Sequence, residues 1–238
     1  MQELMLEVPG ARSRRAALAL PDTDAGPVAG VVVVHDIVGL SRDARRHVER
    51  FAEAGYAALA PDLFGGRSPG CIVRTLRQMR AGRGEGFAVL RAARAHLAAH
   101  PAVDGSRLGI AGFCLGGGFA LVAAADEPFQ VAAPFYGDVP QDAERLRGLC
   151  PTLAQYGERD RLYAPHAARL RQHLEVLGVP GEVLVHEGVG HSFMNQLAPW
   201  LSLGGVLPPM HAAYDEAAEA EAWGRLLAFF STHLGASA

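Results

Sequence analysis

Residues 109–120 read GIAGFCLGGGFA: a strand-like run, a cysteine packed among glycines, then an apolar run of helical character. A cysteine at so crowded a turn admits three readings: a phosphate-cradling loop, a buried structural thiol, or an exposed nucleophile. The dinucleotide-binding form GxGxxG needs glycines at i, i+2 and i+5. Gly112 is followed two residues on by Cys114, and Gly116 and Gly118 are followed by Leu121, so that spacing fails. The nucleophile elbow, G-x-nucleophile-x-G between a strand and a helix, is matched by Gly112-Phe113-Cys114-Leu115-Gly116, with cysteine in place of serine. The glycines have a physical reason: side chains two residues to either side of so sharp a turn would clash. The turn also sets the sulfur at a helix N-terminus, whose partial positive charge favours thiolate.

Outward from this turn, strand and helix alternate. GVVVVHD (30–36) is a continuous β-branched run, as expected for a strand buried on both faces of a parallel sheet. SRDARRHVERFAEAG (41–55) reads as a helix capped by Ser41 and stopped at Gly55, with Val48, Phe51 and Ala52 on one face. YAALAPDLF reads as a strand ending at Pro61, and a Gly/Pro-rich loop follows. Helices are expected over about 84–99, 115–125, 164–178 and 212–234, with a short one at 143–149. Strands are expected at 107–113, 131–137, 152–157 and 181–188. Residues 4–8 and 16–20 read as an antiparallel pair joined by a Pro-Gly turn, placed at one edge of the sheet. The alternation predicts one α/β domain over residues 1–238 with a mostly parallel sheet.

Composition narrows the chemistry. The chain has 238 residues, half of them hydrophobic, and a formal net charge of −3, which gives no sign of a nucleic-acid-binding surface. Arg74, Arg77, Arg80 and Arg83 form a local basic run, read as a solvated helix face. There is no lysine, so Schiff-base and P-loop chemistry are both excluded. Three widely spaced cysteines argue against a disulfide framework or a paired-cysteine zinc site; Cys71 and Cys150 read as core or loop residues. No apolar run approaches the roughly 20 residues of a membrane span. A cytoplasmic protein, monomer or homodimer, is the expectation.

A cysteine nucleophile needs a base, and the base needs an orienting acid; in this kind of fold the chain order is nucleophile, acid, histidine. Strand 152–157 runs into Glu158-Arg159-Asp160, where Asp160 is the natural acid and Glu158 the lesser choice. Strand 181–188 runs into a Gly-flanked loop that carries His191. An oxyanion hole needs two backbone N–H groups. The expected pair is Leu115, after the nucleophile, and Ile37, in the HDIVG loop. Asp36 would lie near the thiol, where an unpaired carboxylate would disfavour thiolate until substrate arrives. His35, His186 and His191 could suggest a metal, but their separation argues against one.

Taken together, HDIVGL, GYAALAPDLF, GFCLGG, the acid of YGERD and GVGHSF resemble the dienelactone hydrolase family, the carboxymethylenebutenolidases, from about residue 28 to the final helix. The resemblance implies an α/β-hydrolase fold without a large cap and a Cys114–His191–Asp160 triad. It also implies hydrolysis of an enol-lactone or related ester with no metal or organic cofactor. Members of the family usually carry Glu where this chain has Asp36. They also carry a carboxylate-binding Arg where it has Asn195, so Asp36, Phe193 and Asn195 are the expected substrate-binding or thiol-modulating residues. Asn cannot form a bidentate clamp. One of Arg74, Arg77 or Arg80 is a candidate for the missing cation. The segment 198–211, with Trp200, Leu201, Leu203, Leu207 and Met210, is apolar enough to line a pocket or form a small lid. A general carboxylesterase for uncharged esters is the nearest alternative. A non-catalytic lactone binder or oxidant sensor using Cys114 is the alternative from another class.

Overall fold

The computed structural model describes residues 1–23, 26–66, 69–196 and 209–235. Eight strands form one sheet: β1 (Gln2–Leu6), β2 (Arg14–Ala19), β3 (Val28–Val34), β4 (Ala57–Pro61), β5 (Val103–Phe113), β6 (Val131–Phe135), β7 (Thr152–Gly157) and β8 (Gly181–His186). Their spatial order is β1-β2-β4-β3-β5-β6-β7-β8. The β1–β2 and β2–β4 pairs are antiparallel, and every other pair is parallel. The first two strands begin two residues earlier than the alternation predicts, and they do lie at one edge.

All seven residues of β3 are buried, the signature of a strand covered on both faces. The helices supply the covers: α1 (Arg42–Glu53), α2 (Pro69–Ala81), α3 (Glu85–Ala98), α4 (Leu115–Asp126), α5 (Ala164–Leu177) and α6 (Glu216–Leu234). On β5, Gly109 faces Phe230 and Leu234 of α6, whereas Gly112 faces Ala120 of α4. Two helical layers therefore sandwich the sheet. In one, α1 meets α6 through Phe51 and Trp223, with ring centroids 4.8 Å apart, and Glu219 accepts from Arg46 (2.6 Å) and Arg50 (2.7 Å). In the other, α4 is buried along its length from Leu115 to Ala124, which explains why its sequence is apolar on every side. The Ser41 cap is present, its Oγ accepting from the Ala44 N–H at 3.2 Å, which contributes about 1 kcal/mol. This is an α/β-hydrolase arrangement.

Three local expectations are corrected. Part of the presumed loop after β4 is helix α2, whose Ile72, Leu76 and Met79 recur at i, i+4 and i+7. The short helix at 143–149 is a single 3-10 turn, Ala143–Leu146. The last helix starts at Glu216, capped by Asp215, whose side chain accepts from the Ala218 N–H. Of the 198–211 segment, residues 198–208, with Trp200, Leu201, Leu203 and Leu207, lie outside the described residues. Pro209 and Met210 accept from the backbone N–H groups of Arg161 and His191. Among the described residues, no helix is long and apolar enough to cross a membrane.

Candidate active site

Cys114 joins β5 to α4 with φ 56° and ψ −117°. A positive φ is uncommon for a residue with a Cβ and costs of order 1–3 kcal/mol unless its surroundings hold it there. Here the surroundings are backbone. A Cβ on Gly112 would stand 2.1 Å from the Gly116 carbonyl oxygen, and one on Gly116 would stand 2.2 Å from the oxygen of Val34. The N-terminal turn of α4 thus lies directly on the ends of β5 and β3. The Cys114 N–H is tied to the Phe135 carbonyl at the end of β6 (3.1 Å). The result is a half-buried thiol raised at the carboxyl edge of the sheet.

The strand ends beside it bring the other two groups together. After β7, Asp160 is fully buried; its Oδ1 accepts from the N–H groups of Leu162 and Tyr163 (both 3.2 Å), which aims Oδ2 outward. Oδ2 meets His191 Nδ1 at 2.5 Å. Glu158 is engaged elsewhere, accepting from the Gly188 N–H at 2.9 Å. His191 stands between the rings of Tyr136 (4.9 Å) and Tyr163 (5.0 Å) and is 1% exposed. Burial alone would lower its pKa. Attraction to Cys114, and next the hydrogen bond that Nδ1 donates to Asp160, outweigh this and lift it to about 9. Nε2 has no aligned hydrogen-bond partner among the described residues.

Ile37 and Leu115 both border the cavity at Cys114. Leu115 opens α4, so its N–H has no intrahelical acceptor. The Ile37 loop is set by His35, which the sequence suggested only as a weak metal ligand. The Leu63 N–H donates to His35 Nε2 (3.0 Å), so the neutral ring carries its proton on Nδ1 and gives it to the Asp36 carbonyl (2.7 Å). Burial pushes its pKa down and keeps it neutral. His186 is engaged separately by Gln155 at 2.8 Å. Among the described residues no group of three or more His, Cys, Asp or Glu is arranged to hold a metal ion.

Asp36, Asn195 and Phe193 make contacts within the protein that the sequence reading did not include. The Asp36 carboxylate is paired: it accepts from the Val38 N–H (2.8 Å) and from Asn195 Nδ2 (2.6 Å). Asn195 is 2% exposed, and its Oδ1 accepts from the Tyr136 hydroxyl (2.8 Å). Both ends of the amide are hydrogen-bonded within the protein, and its nitrogen end holds the Asp36 carboxylate. Phe193 is fully buried against Tyr136 and His186. The arginines also lie off the cavity. Arg74, Arg77 and Arg83 border an open groove of about 750 Å³ elsewhere on α2, which contains none of Cys114, Asp160 or His191. Arg80 reaches Asp138 at 3.3 Å.

The space at Cys114 is small, about 100 Å³. Beyond Ile37, Cys114 and Leu115 its walls are Ile72, Leu76 and Met79 of α2, with Asp138 and Tyr163. The sequence reading missed these five. The helical spacing of Ile72, Leu76 and Met79 was a usable signal for three of them. Asp138 and Tyr163 follow β6 and β7, and nothing in their local pattern marks them.

A strained thiol at a strand–helix elbow, beside an acid-held histidine, invites comparison with known hydrolases. The dienelactone hydrolase family model matches residues 15–234. The chain belongs to the dienelactone hydrolase family. It is 30% identical over 237 residues to a carboxymethylenebutenolidase of Rhodococcus opacus, covering 91% of this chain and 85% of that one. It is 28% identical to a carboxymethylenebutenolidase of a Pseudomonas species, covering 82% and 86%. Among solved structures it resembles a dienelactone hydrolase-like promiscuous phosphotriesterase from metagenomic libraries, with TM-score 0.80, 27% identity, and coverage of 98% and 99%. With this family placement, the chain is an ester or lactone hydrolase.

Proposed function

We propose that this dienelactone hydrolase-like enzyme cleaves its ester or lactone through Cys114, His191 and Asp160 by way of a thioester. The observation that carries the reading is His191, clamped by Asp160 at 2.5 Å and electrostatically coupled to a thiol at a strained elbow. His191 takes the proton that Cys114 gives up, and its pKa, raised to about 9, suits it to hold that proton. The sulfur attacks the carbonyl carbon, and the negative charge that develops on the carbonyl oxygen is met by the N–H groups of Ile37 and Leu115. Collapse expels the alkoxide or enolate, which takes the proton from His191. Water, deprotonated by the now neutral imidazole, attacks the thioester and releases the acid. Asp160 keeps the Nδ1 proton in place throughout, so Nε2 is the atom that exchanges protons.

The test is steady-state hydrolysis of a dienelactone and of a neutral p-nitrophenyl ester by wild type and by Cys114→Ala. Turnover of either substrate that vanishes in the variant is the expected result. Full activity in Cys114→Ala would end the triad reading. Stoichiometric acylation of wild type without turnover would turn it toward a non-catalytic thiol.

A further inference from the structure

We propose that Asp138 makes the Cys114 cavity selective for uncharged acyl groups, so that the substrate is a small ester or lactone without a carboxylate of its own. This rests on the hydrolase reading above. Apart from the sulfur of Cys114, the described residues that border the cavity are apolar or aromatic with one exception, the acid Asp138, which stands beside Met79, Leu76 and Tyr163. No cation borders it among the described residues.

The two groups that touch Asp138 do not cancel its charge towards the cavity. Arg80 makes one contact, Nε to Oδ2 at 3.3 Å, and its side chain is 64% exposed, so its charge is largely screened by water. His166 lies 3.3 Å from Oδ1, but its Nδ1 already accepts the Val139 N–H at 2.9 Å. Burial lowers its pKa, against the pull of Asp138, so the ring is neutral at pH 7. The Asp138 side chain itself is only 22% exposed. A substrate carboxylate entering this space would meet a like charge in a partly dry pocket. The amide that sequence position suggested as its receptor, Asn195, is buried and already committed to Asp36 and Tyr136. An uncharged acyl chain meets the apolar side chains of Ile37, Ile72, Leu76, Met79 and Leu115.

The experiment compares two acyl groups of equal length, p-nitrophenyl butyrate and p-nitrophenyl hemisuccinate, in wild type, Asp138→Asn and Cys114→Ala. We expect wild-type kcat/KM to favour butyrate by about tenfold or more, the effect of one partly screened like charge at close range. In Asp138→Asn the hemisuccinate-to-butyrate ratio rises by about the same factor. Raising ionic strength should raise that ratio in wild type, an arm that needs no variant to fold. A wild type that takes hemisuccinate as well as butyrate, a ratio unmoved by Asp138→Asn, or a ratio flat with salt overturns the proposal. Cys114→Ala separates the failures. If it is inactive while the ratio stays fixed, only the role of Asp138 falls; if it is active, the nucleophile assignment falls with it.

Discussion

Replacing Gly116 by alanine tests whether the close approach of α4 to the sheet is what assembles the site. The added Cβ would sit 2.2 Å from the Val34 oxygen and 2.5 Å from the His35 oxygen, where ordinary contact begins near 3.4 Å. Both obstacles are backbone and neither can rotate aside. The turn must open by roughly 1 Å, and it opens between the segment carrying Cys114 and Leu115 and the segment leading to Ile37. Misplacing reacting groups by about 1 Å costs on the order of a hundredfold in rate. Overpacking costs about 1–3 kcal/mol, and in a chain of this size each kcal/mol lowers Tm by roughly 2–4 °C. The expected result is kcat/KM for p-nitrophenyl butyrate down about a hundredfold, with Tm down by roughly 2–12 °C. Gly224→Ala is the matched control: it lies within α6, its Cβ would meet nothing within 4 Å, and it should gain up to about 1 kcal/mol with activity intact. Wild-type kcat/KM in Gly116→Ala would show that the elbow tolerates a side chain, and the argument from contact would be wrong.

Two further outcomes follow from buried groups. The His191 pKa is about 9 in the fold against about 6.5 unfolded, so its stabilisation is fully present below pH 6.5 and is lost as pH rises through about 9. The Tm of wild type should fall across that window, and Cys114→Ala, which removes the largest upward influence on His191, should flatten the fall; equal slopes in the two proteins would contradict the coupling. Tyr136→Phe leaves the Asn195 amide oxygen buried without its donor, which should cost about 1–3 kcal/mol in urea unfolding; a loss within error would show that the phenol does not hold the amide.

The candidate triad was legible because each member sits at a place that chain pattern marks: a cysteine between glycines after a β run, and an acid and a histidine just past two more strands. The mostly parallel sheet followed from alternation and from the unbroken apolar run of β3. What was not legible depends on contacts between distant residues. Asn195 was placed by counting from a histidine in a loop, and loops have no periodicity to say which way a side chain turns. Its burial comes from Tyr136 and Asp36, 59 and 159 residues away in sequence. His35 was ambiguous for the same reason, since its partner Leu63 lies past the next strand. Helix α2 was obscured by the glycines and proline around its start and by three arginines among its apolar positions, even though Ile72, Leu76 and Met79 carry the helical repeat.

The candidate site draws on the ends of β3, β5, β7 and β8, and these become neighbours only when the sheet is complete. Cys114 and His191 are 77 positions apart, and the histidine follows the last strand in chain order. Contacts of such long range form late, after the entropy of closing the intervening chain has been overcome. During synthesis the thiol therefore emerges before its base. The chain passes through a period in which the sulfur lacks its imidazole partner, and the groups of the proposed reaction come together only in the finished fold.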